Sequence, residues 1–268
     1  MKKILCVLGI IAASSSVIAQ EPMHTCKVKP PILEYDFSEG SGNILHDKSG
    51  NGNDGIIHGA EWIKNADGSY CLSFNGIDNQ IEVKYSPSLS LGEEFTVEIS
   101  VNSGVNEPLK GMGDFRLLLG QDGEFWSPTS SFGIYVTAGS GNKKSYLNAY
   151  YRYGATATQE LNEVVSVASR GRIINTGKWE NVIFVKDSKT LRLYTALADE
   201  EKDTPSAVME IQAAERSIIR SEKPFLIGGC PSRYFKGLIK SVRIYNYPAT
   251  PLENRVNTKS TDRKKPYC

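Results

Sequence analysis

Residues 145–154 read SYLNAYYRYG, and their alternation decides the class of fold. Successive side chains of a strand point to opposite faces, so Leu147, Ala149, Tyr151 and Tyr153 share one face. This apolar set predicts a β-strand that packs against a core. The opposite face is then left for solvent or a ligand, and it carries Tyr146, Asn148, Tyr150 and Arg152.

Runs of the same kind recur along the whole chain, separated by clusters of Gly, Asn, Asp, Ser and Pro. No helical period lies between the runs, which argues against β-α-β units and predicts an all-β fold, a two-sheet antiparallel β-sandwich or jelly roll. Residues 206–219, SAVMEIQAAERSII, could pass for a helix, but we expect a strand followed by a loop. The predicted strands are ILEYDF, YCLSFNG, IEVKY, FTVEISVN, FRLLLGQ, FGIYVTA, SYLNAYYRY, NVIFVKD, LRLYTAL, PFLIGG and GLIKSVRIYNY.

The order of several motifs is similar to that of a known family. YDFSEGSGN, DKSGNGNDGIIHGAEW and CLSFNGIDNQIEV come early, and GKWENV, FLIGG and FKGLIKSVRIYNYP come late. Over residues 32–252 the chain resembles the LamG-like jelly-roll domains of the concanavalin A-like lectin/glucanase superfamily, of a secreted bacterial type. The resemblance implies two stacked sheets, one flat and one curved around a shallow groove. Inward apolar positions of such a sandwich are expected at Phe37, Leu72, Phe74, Phe95, Val97, Trp179 and Ile244.

The first residues predict an export signal. Lys2 and Lys3 precede an apolar run that ends in Val17-Ile18-Ala19, which fits the small-residue cleavage rule. We therefore expect a signal peptide over residues 1–19, cleavage between Ala19 and Gln20, and export to the periplasm, the cell surface or the medium. No second hydrophobic stretch is long enough to span a membrane. Residues 20–31 would form a lead-in, and the polar, basic residues 253–268 a tail.

The charge balance indicates which partners the mature chain lacks. Removal of the two signal lysines changes the formal net charge from +1 to −1. A near-neutral chain gives no reason to expect nucleic acid as a partner.

Four cysteines remain once Cys6 has left with the signal. An even number in an oxidising compartment predicts disulfides, and the spacing contains no C-x-x-C zinc knuckle. Three pairings are possible. We expect Cys26 to pair with Cys268, which would pin both termini, and Cys71 to pair with Cys230.

The catalytic motifs of related folds give little support for an enzyme. The letters of the glucanase pattern E-x-D-x-x-E occur once, as EYDFSE at residues 34–39, across the end of the first predicted strand and the turn that follows it. YFKG at residues 234–237 is only a fragment of an alginate lyase motif, and no G-x-S-x-G elbow occurs. We assign no residue a catalytic role and predict a non-catalytic binding module. A polysaccharide hydrolase or lyase stays an alternative.

A carbohydrate site combines aromatic faces with a few placed polar groups. We predict that the protein recognises carbohydrate on a concave sheet face or its rim loops, with protein interaction or adhesion as the alternative. The oligomeric state is left open. The candidate ligand contacts are Trp126, Tyr135, Asn148, Tyr150 and Arg152, and packing beneath loops is the competing role for each.

The stretch DKSGNGNDGIIHG, residues 47–59, imitates several ligand loops and completes none. It lacks the last acidic ligand of an EF-hand, the tandem copies of a calcium β-roll and the Lys-Ser/Thr of a phosphate loop. Its glycines favour tight turns with positive φ. The family resemblance implies one alternative, a structural calcium, which Lys240 opposes by standing where the family commonly has an aspartate. No cofactor is required, and the possible calcium ligands are Asp47, Ser49 and Asn51.

Overall fold

The computed structural model describes residues 29–103, 114–123, 127–138, 145–154, 164–169, 177–198, 200, 204–212, 215 and 217–249. Sixteen strands and one short 3₁₀ turn, Pro87–Leu89, lie in these ranges. The strands are β1 (Leu33–Tyr35), β2 (Ile44–Leu45), β3 (Gly55–His58), β4 (Glu61–Lys64), β5 (Tyr70–Asn75), β6 (Gln80–Val83), β7 (Phe95–Asn102), β8 (Phe115–Gln121), β9 (Phe132–Ala138), β10 (Ser145–Arg152), β11 (Val164–Ala168), β12 (Glu180–Lys186), β13 (Thr190–Leu197), β14 (Ala207–Glu210), β15 (Phe225–Ile227) and β16 (Lys236–Tyr245).

The strands form two antiparallel sheets of eight strands each. Sheet A has the order β14-β13-β12-β7-β16-β5-β4, and β1 also pairs with β16. Sheet B has the order β11-β10-β9-β8-β15-β6-β3-β2. All eleven predicted strands are present, and Ala207–Glu210 is the strand expected in residues 206–219. The all-β sandwich prediction is therefore confirmed.

Strand β16 lies in the middle of sheet A. Its first residues pair with β5, its last residues pair with β1, and β7 runs along its other side. A register shift between Ile239 and Ser241 separates the two halves. Such a bulge increases local twist, and here it falls where the neighbour of β16 changes from β5 to β1.

The core fills the space between the two sheets with the inward faces of their strands. Of the seven predicted core positions, six are buried in this cluster, and they are Phe37, Leu72, Phe74, Phe95, Val97 and Ile244. Trp179 is not. It comes just before β12, an odd number of residues from the inward Val182, so its side chain belongs to the outer face of the sheet. There it lies half-buried, with the Lys240 ammonium 4.5 Å from its ring centroid. Its assignment to the core is wrong.

The expected Cys71–Cys230 disulfide is also wrong, because the structure holds both residues as buried thiols. Cys71 alternates with the inward Leu72 and Phe74 of β5, so it belongs to the outer face of sheet A. Cys230 packs with Tyr150 in a cluster on the outer face of sheet B. The whole sandwich therefore lies between the two sulfur atoms. Cys26 and Cys268 lie outside the described residues.

Candidate functional site

The outer face of sheet B gathers two of the predicted ligand contacts, Tyr135 of β9 and Tyr150 of β10. Their rings stack with centroids 5.9 Å apart and planes inclined by 17°. The Tyr135 hydroxyl donates to the Gly123 carbonyl over 2.6 Å, and the Tyr150 hydroxyl lies 2.5 Å from Ser130 Oγ. Sequence alternation therefore placed both rings on the correct face of the sheet.

This aromatic pair is covered, which corrects the expectation of an exposed face. Tyr150 and Tyr135 are 0% and 2% exposed, and Arg152 is 1% exposed. Burial raises the pKa of the Tyr150 hydroxyl to about 12. The half-buried Asn148 lies on the same strand, and Trp126 falls outside the described residues. Their role as ligand contacts stays a prediction.

A short chain of hydrogen bonds through Gln121 holds the residues beside the two tyrosines in place. Gln121 donates from Nε2 to the carbonyl of Ser221 over 2.7 Å, and its Oε1 accepts from the Ser131 hydroxyl over 2.5 Å. The Ser130 hydroxyl donates to the Gln121 carbonyl over 3.0 Å. Since buried polar groups are costly to leave unpaired, these bonds hold Gln121, Ser130 and Ser131 together beside the two tyrosines and join them to Ser221.

Asp47 is the centre of the glycine-rich turn between β2 and β3. Its Oδ1 accepts the backbone amides of Glu34 at 3.0 Å and Ser49 at 2.9 Å. Its Oδ2 accepts the Ser49 hydroxyl at 2.8 Å and the backbone amide of Asn53 at 3.0 Å. Four donors thus converge on one carboxylate and join the turn to β1.

The turn fits a calcium ion poorly. Both oxygens of Asp47 already accept two hydrogen bonds each, and Ser49 Oγ is directed at Asp47 and the Ile32 carbonyl. The Asn51 side chain donates to the same carbonyl over 3.0 Å. No group of three or more His, Cys, Asp or Glu side chains suited to a metal occurs in the described part of the chain. Calcium at Asp47, Ser49 and Asn51 stays a hypothesis.

The outer face of sheet A carries an ion-pair network. Arg243 Nε lies 2.8 Å from Glu34 Oε1, and its Nη1 lies 3.9 Å from Glu98 Oε2. Burial opposes the charge of Arg243, but Glu98 and Glu34 outweigh it and raise its pKa. The network ties β1, β7 and β16 together, so these carboxylates have a structural role.

A concave site lies at one end of the sandwich, where loops from both sheets meet. A cavity of about 220 Å³ lies between the residues that precede β7, the residue that follows β10 by two positions, and a segment that leads towards β15. The lining residues are Leu91, Gly92, Glu93, Gly154, Ser217, Ile218 and Arg220.

The two walls of this cavity are joined by hydrogen bonds. The Ser217 hydroxyl donates to Glu93 Oε1 over 3.1 Å. The Gly154 amide donates to the Ser217 carbonyl over 3.1 Å, and the Ile219 amide donates to the Arg152 carbonyl over 3.1 Å. The segment 217–219 therefore extends the end of β10, and the cavity has a defined shape.

Lys186 braces the same region from inside the sandwich. It is fully buried and shares the inward face of β12 with Val182 and Phe184. Its ammonium donates to the Glu93 carbonyl over 2.5 Å and lies 4.8 Å from the ring centroid of Tyr151. A buried charge needs such partners, and here they fix the backbone of the Glu93 wall.

Among the described residues that line the cavity, the charged groups are one carboxylate, on Glu93, and one guanidinium, on Arg220. Both side chains are exposed, and Arg220 forms no ion pair within the described ranges. The arrangement offers an acceptor, a donor and the hydroxyl of Ser217 to a small polar ligand. Sequence patterns did not indicate these three residues, since 124 positions separate Glu93 from Ser217.

The part of the chain that the structure describes contains no helix with the length and apolar character needed to cross a bilayer.

Comparison with solved structures shows the same fold in several binding domains. The binding domain of Paraclostridial Mosquitocidal Protein 1 is similar with a TM-score of 0.61 and 13% identity, over 86% of this chain and 51% of that one. Domain 4 of AbnA, an extracellular arabinanase from Geobacillus stearothermophilus solved with arabinotriose, has a TM-score of 0.57 and 16% identity, over 84% and 96%. The binding domain of botulinum neurotoxin DC, solved with rat synaptotagmin II, has a TM-score of 0.55 and 12% identity, over 87% and 52%.

The chain spans about half the length of the toxin domains and nearly all of the arabinanase domain. No curated protein sequence matches it. One family does match, over residues 74–253, and its description is the concanavalin A-like lectin/glucanases superfamily, Laminin_G_3. With more than half of the chain matched and the two-sheet sandwich present, the protein belongs to the concanavalin A-like lectin/glucanases superfamily.

Proposed function

We propose that the protein is an exported carbohydrate-binding module whose binding site is the cavity lined by Glu93, Ser217 and Arg220. The observation that carries the proposal is the convergence of a carboxylate, a hydroxyl and a guanidinium on one concave site. Sugars present vicinal hydroxyls that both donate and accept hydrogen bonds, and this set of groups can bind both kinds of partner. The site lies among rim loops, where scaffold proteins commonly carry function.

The relatives support a binding role. The arabinanase domain was solved with an oligosaccharide and covers nearly the same length of fold as this chain. The toxin domains are described as binding domains. A pre-formed cavity on a rigid sandwich also suits a module that binds without rearrangement, because little entropy is lost on ordering the site.

A glycan and polysaccharide array tests the proposal. The full chain is applied as the wild type, as Arg220→Gln and as Glu94→Gln, the last being a matched control because Glu94 is exposed and does not line the cavity. We expect a defined set of sugars to bind the wild type and the control, and binding to Arg220→Gln to fall at least tenfold. Absence of binding to every glycan would refute the carbohydrate proposal.

Recognition of another protein is the second candidate, favoured by an apolar edge. Val208 and Met209 are neighbours on β14, the edge strand of sheet A, and they are 52% and 45% exposed. Two adjacent exposed apolar residues on an edge are suited to a protein contact. A Val208→Lys, Met209→Lys double variant that loses a captured protein partner, while glycan binding is negative, would support this function instead. New reducing ends or unsaturated products in the array wells would support an enzyme.

Export is part of the proposal and has its own test. Mass spectrometry of protein recovered outside the cytoplasm should find a mature N-terminus at Gln20. An N-terminus at Met1, or protein found only in the cytoplasm, would contradict it. The same digest under non-reducing conditions shows whether Cys26 is joined to Cys268.

A further inference from the structure

We infer that the cavity binds one neutral sugar unit at the end of a chain, in preference to an acidic sugar or the interior of a polysaccharide. The inference rests on the proposed carbohydrate function and specifies its ligand. Three independent features of the cavity support it: its size, the signs of its charges and the absence of a side chain at one wall.

Size limits the ligand to about one ring. The cavity holds about 220 Å³, whereas pockets that enclose drug-sized ligands span about 300–1,000 Å³. An extended stretch of polysaccharide needs an open groove that continues on both sides. Here Leu91–Glu93 stand on one side and Ser217–Arg220 on the other, and the Ser217–Glu93 hydrogen bond joins them. A chain end fits between these walls more readily than a continuous chain.

The charges favour a neutral ligand. Glu93 and Arg220 both line the cavity, so a neutral sugar can donate one hydroxyl proton to the carboxylate and accept a hydrogen bond from the guanidinium. A uronic acid would gain a partner in Arg220, but its carboxylate would lie in the same small space as that of Glu93. Like charges brought together at a site oppose binding and so provide specificity.

Lys186 does not alter this balance. Its ammonium contacts the Glu93 carbonyl and the Tyr151 ring, and Lys186 is not among the lining residues. The described residues of the walls therefore present one negative and one positive charge to a ligand.

Gly92 lines the cavity and has room for a side chain. A Cβ built on this glycine has no heavy atom within 4 Å, so it would project into open space. Its φ is not in the left-handed region, so a larger residue can occupy the position without backbone strain. Gly92→Leu is therefore a steric probe that reduces the free space at the wall and leaves the packing of the sandwich unchanged.

Calorimetry on the full chain tests the inference with matched probes. These are the methyl glycosides of glucose, galactose and arabinose, the uronic acid counterparts of the first two, and β-cyclodextrin as a glucan without ends. We expect at least one neutral glycoside to bind, its uronic acid to bind at least tenfold more weakly, and the cyclic glucan not to bind. Gly92→Leu should abolish binding and Glu93→Gln should reduce it about tenfold or more, while Glu94→Gln should bind like the wild type.

Glu93→Gln also has a signature that simple loss of structure lacks. With the carboxylate replaced by a neutral amide, the difference in affinity between the neutral sugar and its uronic acid should narrow. Circular dichroism and thermal unfolding of each variant show that the sandwich is retained.

The outcomes distinguish failure of the preference for a neutral chain end from failure of the proposed carbohydrate binding. If no glycan binds anywhere on the array, the proposed function fails. If glycans bind but Gly92→Leu and Glu93→Gln leave affinity unchanged, carbohydrate binding stands and the cavity is not its site. Tighter binding of a uronic acid than of its neutral counterpart overturns the charge argument, and binding of β-cyclodextrin overturns the preference for chain ends.

Discussion

Replacing Asp47 by Asn should destabilise the protein by about 2–3 kcal/mol. The carboxylate accepts four hydrogen bonds, two on each oxygen. A hydrogen bond to a charged group contributes about 1.5–3 kcal/mol, and the partial exposure of Asp47 reduces this to roughly 1 kcal/mol each. Asparagine keeps one acceptor oxygen, so two of the bonds remain in weaker, neutral form. The other two are lost, and an N–H group is left facing the amide of Asn53.

Urea unfolding followed by tryptophan fluorescence measures this loss, and the midpoint of thermal unfolding should fall by about 4–12 °C, since 1 kcal/mol corresponds to ~2–4 °C for a domain of this size. Asp36→Asn is the matched control, because the Asp36 carboxylate accepts one exposed amide, that of Ser38. We expect it to change stability by less than about 0.5 kcal/mol. Equal effects of the two substitutions would refute the role assigned to Asp47.

The same assay distinguishes a hydrogen-bonded turn from a calcium site. If the four donors are the partners of Asp47, wild-type stability should be the same in millimolar calcium and in chelator. A calcium ion bound at a hundredfold excess over its Kd would add about 2.7 kcal/mol. A gain of this size in the wild type, absent from Asp47→Asn, would show that the donors give way to a cation.

Three further predictions concern residues away from the cavity. Burial raises the pKa of Tyr150 to about 12, above its ordinary value near 10, so the stability linked to its neutral hydroxyl should be complete below pH 10 and lost between about pH 10 and 12. The difference in absorbance at 295 nm between the wild type and Tyr150→Phe should show one tyrosine that titrates late. Titration of that tyrosine near pH 10 would contradict its burial. Burial would raise the pKa of Asp187, but the Lys189 and Thr190 amides, the Thr190 hydroxyl and Arg192 together lower it, so its stabilisation should be present above pH 4 and lost as the pH falls further. Asp187→Asn should lower the free energy of unfolding by about 1–2 kcal/mol at pH 7 and make that free energy fall less steeply at acidic pH. An unchanged dependence on acidic pH would argue against these contacts. Gly228→Ala should lower the free energy of unfolding in urea by about 3 kcal/mol or more, because a Cβ at this positive-φ residue would lie 2.2 Å from Phe74. Gly50→Ala is the control: φ is also positive there, but no atom lies within 4 Å of the added Cβ, so the loss should be only about 1 kcal/mol. Equal losses would show that crowding against Phe74 is not the cause.

The faces of the strands were predictable from sequence because alternation is a local property. Leu147, Ala149 and Tyr151 are buried in the core as expected, and Tyr150 and Arg152 lie on the opposite face. That face is nevertheless covered. One of the hydrogen bonds beside the tyrosines joins Gln121 to Ser221, 100 positions away, and no local period encodes such a contact.

The cavity was even less predictable from the sequence than the cover over the tyrosines. Its polar groups come from segments that a sequence pattern treats as ordinary loops, and only the meeting of two sheet ends brings them together. Trp179 failed for a different reason. It lies one residue before β12 begins, and a shift of one residue moves a side chain to the other face. The predicted Cys71–Cys230 pair failed because an even count says that pairs are possible and does not say which side chains share a face.

The central position of β16 has a consequence for how the chain is made. Sheet A cannot close around β1, β5 and β7 until residues 236–245, almost the last of the described chain, are available to pair with them. A growing polypeptide that lacks this strand has β1 without its antiparallel neighbour and the inward apolar faces of β5 and β7 only partly covered. Such long-range pairings fold slowly and leave strand edges open to other chains. The sandwich should therefore fold only once residues 236–245 have left the ribosome, and a ribosome-bound chain truncated before residue 236 should remain sensitive to protease.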